Sequence, residues 1–308
     1  KKYRIFSGVY CVQTEKTISL GKFSIINKNE LLNYLKAYND IYIDNKLTEQ
    51  QLEYFAFDEI DANCFIGIEI NSYDDKRACE IARLEFLNFE KLMNFACIRS
   101  DCRPPIRIFN LVNKSTSFIL LKEKSWINNS SANPLYVGTF NYQMSSLIKE
   151  MEENKSLFIF DLYSDTDKNK LKSSIIRAIL WIGQANVEED INVKLLEYCF
   201  ALEAILQRKQ GEILSPSITY QISRSCAVIN STSYSERKKI ITNIAKVYDY
   251  RSTIVHGGDV SISTYYTDLI WQYLVKLIYN LTFNSLWKDI KDKPDLWAKV
   301  EEQMLNHK

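Results

Sequence analysis

Histidine is almost missing from this chain: His256 and His307 are the only two in 308 residues. That scarcity excludes histidine-based zinc-finger spacing. The seven cysteines, Cys11, Cys64, Cys79, Cys97, Cys102, Cys199 and Cys226, are odd in number and form no C-x-x-C pair. They read as reduced, mostly buried thiols of a cytoplasmic protein. Five prolines and eight glycines are too few for a loop-dominated or low-complexity chain. A net charge of +1 demands neither nucleic acid nor membrane, although a local basic face can hide in a balanced total. No apolar run reaches the length of a membrane span, and the most apolar late helix is interrupted by Gln272 and Lys276. No phosphate loop and no metal-ligand cluster stand out, so neither a cofactor nor a metal is expected. The chain lacks an initiator Met, so a longer N-terminus is expected.

What is present divides into two textures. Residues 3–12 and 17–26 are rich in β-branched and aromatic side chains and read as strands. Asn29 to Tyr38 reads as a short helix, followed by a polar loop around Asp44 to Thr48. Cys64 to Ile70 reads as a strand, and Asp74 and Asp75 open a long helix to about Ala96, since acids favour a first helical turn. Arg103-Pro104-Pro105 is a break. Ile106 to Val112 and Ser117 to Leu121 read as paired strands, Trp126 to Pro134 as an Asn/Ser-rich loop, Tyr142 to Glu152 as a helix, and Leu157 to Leu162 as one more strand. Ser146-x-x-Lys149 has a nucleophile-plus-base spacing, but the motifs that accompany it in enzymes are absent.

Near Ser164-Asp165-Thr166-Asp167 the strands give way to helical periodicity. The expected fold class is therefore α+β: a mixed α+β domain over 1–165, then an all-α bundle over 166–308. Its helices read as about Asn169 to Ala185, Ile191 to Arg208, one following Pro216, one opening on Ser233-x-x-Glu236 as a capping box, and one after Gly258 and Asp259. Lys291 to Lys308 reads as a charged tail with a short helix.

The fourth of these helices carries the chemistry. Its apolar stripe runs Ile240/Ile241, Ile244, Val247/Tyr248, then Arg251, then Ile254/Val255. A guanidinium in phase with such a stripe needs a buried acid or a cleft, and Glu203 is one candidate partner. His256 follows, then Gly257 and Gly258, which read as a helix stop. A lone histidine is more often structural than catalytic, and His256 at a helix end can simply cap it. Five residues on a helix also leave Arg251 and His256 about 140° apart. They converge only if the helix ends near His256, or if a two-fold axis brings two copies together.

Tyr248-Asp249-Tyr250-Arg251-Ser252-Thr253-Ile254-Val255-His256-Gly257 resembles the Arg-x4–6-His signature of the HEPN superfamily, more closely its Apea-like branch. Cys199-Phe200-Ala201-Leu202-Glu203-Ala204-Ile205-Leu206 and Arg177-Ala178-Ile179-Leu180-Trp181-Ile182-Gly183-Gln184-Ala185 resemble two further helices of that branch. The likeness covers about 166–290. It implies a helical, homodimeric, metal-independent endoribonuclease with a composite site, in a bacterial antiphage or toxin setting, acting on an RNA such as tRNA. Arg251 and His256 would be catalytic, with Glu203, Asp249 and Ser252 in support. Toxins of this superfamily that are silenced by a nucleotidyltransferase tend to carry Tyr two residues after the His; Gly258 stands there, so that partner is not implied. Two other readings remain: a non-catalytic HEPN dimerisation or sensor scaffold, and a ligand-binding protein whose N-terminal half carries the function.

Overall fold

The computed structural model describes residues 1–9, 12–42, 47–57, 62, 64–97, 118–122, 125–129, 142–165, 169–208 and 217–305. The chain is α+β, an antiparallel sheet with helices followed by a helical region. It divides into two compact units, Lys1–Ser164 and Asp165–Lys308.

In the first unit β1 (Lys2–Val9), β3 (Ile18–Leu20), β4 (Phe23–Asn27), β5 (Cys64–Asn71), β6 (Phe118–Lys122) and β7 (Ser125–Asn129) form one sheet in the order β3-β4-β5-β1-β6-β7. Every pairing in it is antiparallel. β1 and β5 are central, and both are buried almost throughout because helices cover both faces. One face carries Phe6 and Phe65 against Leu31, Leu32 and Leu35 of α1 (Lys28–Tyr42) and Leu52 of α2 (Glu49–Phe57). On the other, Phe23 meets Phe89 of α3 (Asp75–Ala96) at a 4.9 Å ring separation. Asp74 caps α3 by accepting from the Arg77 amide, so the acidic start read from the sequence is a true N-cap. β2 (Val12–Gln13) pairs in parallel with β8 (Tyr142–Gln143), which leads into α4 (Met144–Glu153).

The structure corrects several expected elements of this unit. Residues 17–26 are not one strand but the hairpin β3–β4, folded at Gly21 with φ +54. A positive φ at the first central residue of a two-residue loop is glycine's place. Leu157 to Leu162 is not a strand; from Phe158 on it belongs to the helix α5 (Phe158–Ser164), whose Ile159, Phe160 and Tyr163 are buried. A run of six residues, apolar but for Asp161, has no period that separates strand from helix. The loop expected at Trp126 to Pro134 begins instead as edge strand β7, in register with β6 from Phe118↔Asn129 to Lys122↔Ser125. Ladder pairing there outweighs the poor strand propensity of Asn128 and Asn129. α2 went unread, and α1 outruns its expected end. The strand expected at 106–112 lies outside the described residues.

The second unit is a bundle of α6 (Lys170–Ala185), α7 (Ile191–Leu206), α8 (Ile218–Asn230), α9 (Tyr234–Val255), α10 (Thr264–Phe283) and α11 (Lys293–Leu305). α7 is apolar around most of its circumference and packs against α6, α8, α9 and α10, as expected of a central helix. α8 starts from Ser217, whose hydroxyl accepts from the Tyr220 amide; Pro216 lies outside the described residues. The capping box at Ser233 does not form. The Ser233 hydroxyl bonds Ser235 Oγ at 3.0 Å instead. The tail contains a 13-residue helix, α11, anchored by fully buried Leu296 and by Val300.

Candidate functional site

α9 remains helical through Val255, so Arg251 keeps the phase of the apolar stripe and turns inward toward α7. Its Nε lies 2.9 Å from Glu203 Oε1, an ion pair whose N–H does not point along that line. The hydrogen bond runs from Nη2 to Oε2, at 3.4 Å. The Tyr248 hydroxyl donates to Glu203 Oε1 at 3.3 Å, and the guanidinium sits 5.8 Å from the Tyr248 ring centroid. The side chains of Arg251 and Glu203 are 25% and 14% exposed, so the pair is sheltered but not sealed. Beneath it Cys199 is fully buried. Burial pushes the Cys199 thiol up, Glu203 adds to the rise and Arg251 opposes it. Burial likewise holds the Tyr248 phenol protonated far above its ordinary range, with Cys199 and Glu203 adding to the rise.

His256 is the C-cap of the same helix. Gly257, at φ +74, donates to the Ile254 carbonyl at 3.0 Å, and Gly258 donates to the Thr253 carbonyl at 2.9 Å. These two bonds make a Schellman ending, which requires the left-handed backbone that glycine supplies. His256 is exposed, and among the described residues its ring makes no hydrogen bond or ion pair. Asp249 and Ser252 are exposed too. At about 100° per residue they share a sector of roughly 60° with His256, while Arg251 lies about 140° from His256.

The five residues singled out from the sequence thus fall into two groups. Arg251 and Glu203 meet in a pocket roofed by Tyr248. His256, Asp249 and Ser252 line an open face of the same helix turns. No hydrogen bond or ion pair joins Arg251 to His256. Tyr248 and Cys199 were not marked as site residues; the signal for Tyr248 was its place three residues before Arg251 in the apolar stripe.

No family model, curated protein or solved structure matches the chain.

Elsewhere, among the described residues no three His, Cys, Asp or Glu side chains gather as a metal site. Among the described residues no helix is long and apolar enough to cross a membrane. Cys64, Cys79, Cys97, Cys199 and Cys226 are free thiols, all but Cys79 buried. A cleft of about 480 Å³ on the first unit's sheet is lined by Arg4, Ser24, Tyr34, Gly67 and Glu69. Arg4 is already engaged there, by Glu69 at 2.5 Å and by the Tyr34 hydroxyl, so it holds no free cation for a ligand.

Proposed function

We propose that the protein is a metal-independent endoribonuclease of HEPN type, with a composite site completed by a second copy, serving bacterial antiphage defence or toxin-like growth arrest. The observation that carries this reading is the division of labour along one helix end. A permanently charged guanidinium is fixed by Glu203 and Tyr248, while the one internal histidine stands unengaged on an open face. The chemistry needs both. His256 takes the proton of a ribose 2′-OH, and the 2′-oxygen attacks the adjacent phosphorus. The new 2′-O–P bond forms as the P–O5′ bond breaks, and the 5′-oxygen leaves with the proton that the His256 imidazole has taken up. Arg251 offers planar N–H donors to the phosphorane's negative oxygens. The products are a 2′,3′-cyclic phosphate and a 5′-hydroxyl. Requiring a 2′-OH makes RNA, tRNA included, the substrate class.

The test is cleavage of a total RNA or tRNA pool in EDTA. Wild type should leave 2′,3′-cyclic phosphate ends, and His256→Ala and Arg251→Ala should each be silent. Equal cleavage by wild type and His256→Ala rules His256 out. A second reading, a non-catalytic dimerisation or sensor scaffold, draws on the Arg251–Glu203 ion pair itself, which suffices to account for an inward arginine. It expects Arg251→Ala to weaken folding or dimerisation, with no cleavage by either form.

A further inference from the structure

α9 and α10 run antiparallel, and aromatic side chains line their seam. The Tyr250 and Tyr266 rings meet edge to face at 5.2 Å, Tyr265 meets Tyr266 in the same way at 5.2 Å, and Asn243 donates to the Tyr273 hydroxyl at 2.9 Å. Tyr250 and Tyr266 are half-buried and brace the seam. Tyr265 is different: it is 57% exposed, and its hydroxyl has no hydrogen-bond partner among the described residues. An edge-to-face contact on one side fixes the ring and leaves a face turned to solvent.

Cations follow the same line. Lys239, Asn243, Lys246 and Tyr250 lie in a stripe about 60° wide on α9, and Lys276 falls on the Tyr265 flank of α10 at roughly 100° per residue. The Lys246 ammonium sits 4.8 Å from the Tyr250 ring centroid. Lys239, Lys246 and Lys276 are exposed and have no ion-pair partner among the described residues. In a chain of net charge +1, α9 alone carries Arg237, Lys238, Lys239, Lys246 and Arg251 against Glu236 and Asp249. Asp268 is the acid of α10. The stripe runs from Lys239 past Asn243 and Lys246 to Tyr250, about 16 Å along the axis, and His256 lies at the same helix end about 120° around from Tyr250.

One exposed tyrosine ring flanked by half-buried ones and interleaved with unpaired lysines suits a single-stranded nucleic acid. Unstacked bases lie on the rings, and ammonium groups neutralise the phosphates. A duplex keeps its bases stacked on each other and offers no free face. We propose that the stripe of Tyr250, Tyr265, Tyr266 and Tyr273, edged by Lys239, Lys246 and Lys276, is a track that binds single-stranded RNA and feeds it to the His256 end. This deepens the ribonuclease reading and rests on it for the choice of RNA.

The track is tested with the full chain and a fluorescent 2′-O-methyl oligouridylate of about 10 nucleotides, within the range of single-strand sites. This oligomer has no free 2′-OH and cannot be cut by 2′-oxygen attack, so anisotropy reads binding alone. Tyr265→Ala should weaken binding about tenfold, and Tyr265→Phe, which keeps the ring, should bind as wild type does. Replacing Lys239, Lys246 and Lys276 together by Ala should flatten the slope of log affinity against log salt by about 2. A duplex of the same length should bind more weakly. The track is overturned if Tyr265→Ala binds like wild type. It is overturned equally if that change weakens self-association in sedimentation and leaves RNA binding intact, for then the face belongs to a second copy. The two readings fail separately. His256-dependent cleavage with unaltered binding by Tyr265→Ala removes the track alone. Binding that follows the expected pattern, with natural RNA left uncut, removes the nuclease and keeps the track.

Discussion

Removing the Glu203 carboxylate would leave the Arg251 guanidinium without its counter-charge beside buried Tyr248 and Cys199. Glu203→Gln should therefore lower unfolding stability by about 1–3 kcal/mol, the usual scale for hydrogen bonds to charged groups. His256→Ala should change it by no more than about 0.5 kcal/mol, because an exposed ring with no bonds has none to lose. Urea titrations of the two variants check this contrast, and a reversal would mean that His256 is the structural residue. The buried thiols set a second expectation. Burial pushes Cys64 and Cys226 up to about 12 from the ordinary thiol value of 9. Between those values the unfolded chain has lost the protons that the folded chain keeps. Their stabilisation is whole below pH 9 and drains away as pH rises toward 12. Lys293 works in the opposite sense. Burial lowers it to about 8, and nearby Arg177 adds to the fall, so its penalty is full below pH 8 and relieved between about 8 and the free lysine value. The melting temperature should rise slightly from pH 8 to 9, as Lys293 is relieved, and then fall as the thiols take over. Cys226→Ala should shallow the descent above pH 9.

At the scale of elements, two glycines carry disproportionate weight. Gly257 sits at φ +74 with nothing within 4 Å of where a Cβ would lie. Gly257→Ala should then cost only the left-handed backbone strain, about 1–2 kcal/mol, read as a lower denaturant midpoint. Gly21 combines φ +54 with a Cβ position 2.2 Å from Ser164 Oγ and 2.3 Å from the Phe160 carbonyl oxygen. Gly21→Ala adds a backbone clash to the strain and should destabilise by clearly more than Gly257→Ala in the same titration. The helix end at Gly257-Gly258 was legible because a Schellman ending depends on local residues. So were α3, β5 and the helices of the second unit, each of which carries a long period or a marked cap. The segment that folds as α5 was not legible, because so short a run, apolar but for Asp161, carries no period. β7 was not either, because an edge strand rich in Asn takes its conformation from β6 and not from its own residues.

For the molecule as a whole, each unit owns a closed core, with the division at 164/165. The fragment 165–308 should fold alone, with helical circular dichroism and one cooperative urea transition. A gradual, non-cooperative loss of signal would count against that. The inward turn of Arg251 and its pairing with Glu203 could be read from the phase of the α9 stripe. That Tyr248 roofs the pair could not, because it depends on the spacing of α7 and α9 in the bundle. The opposed directions of Arg251 and His256 have one more consequence, best put in terms of inheritance. Two defective alleles, Arg251→Ala and His256→Ala, each lose activity alone. If a working site takes its arginine from one copy and its histidine from the other, mixing the two proteins should rescue cleavage. At equal amounts about one site in four would be intact, since half of the pairs are mixed and each mixed pair holds one complete site. If both residues must come from the same copy, no mixture recovers anything.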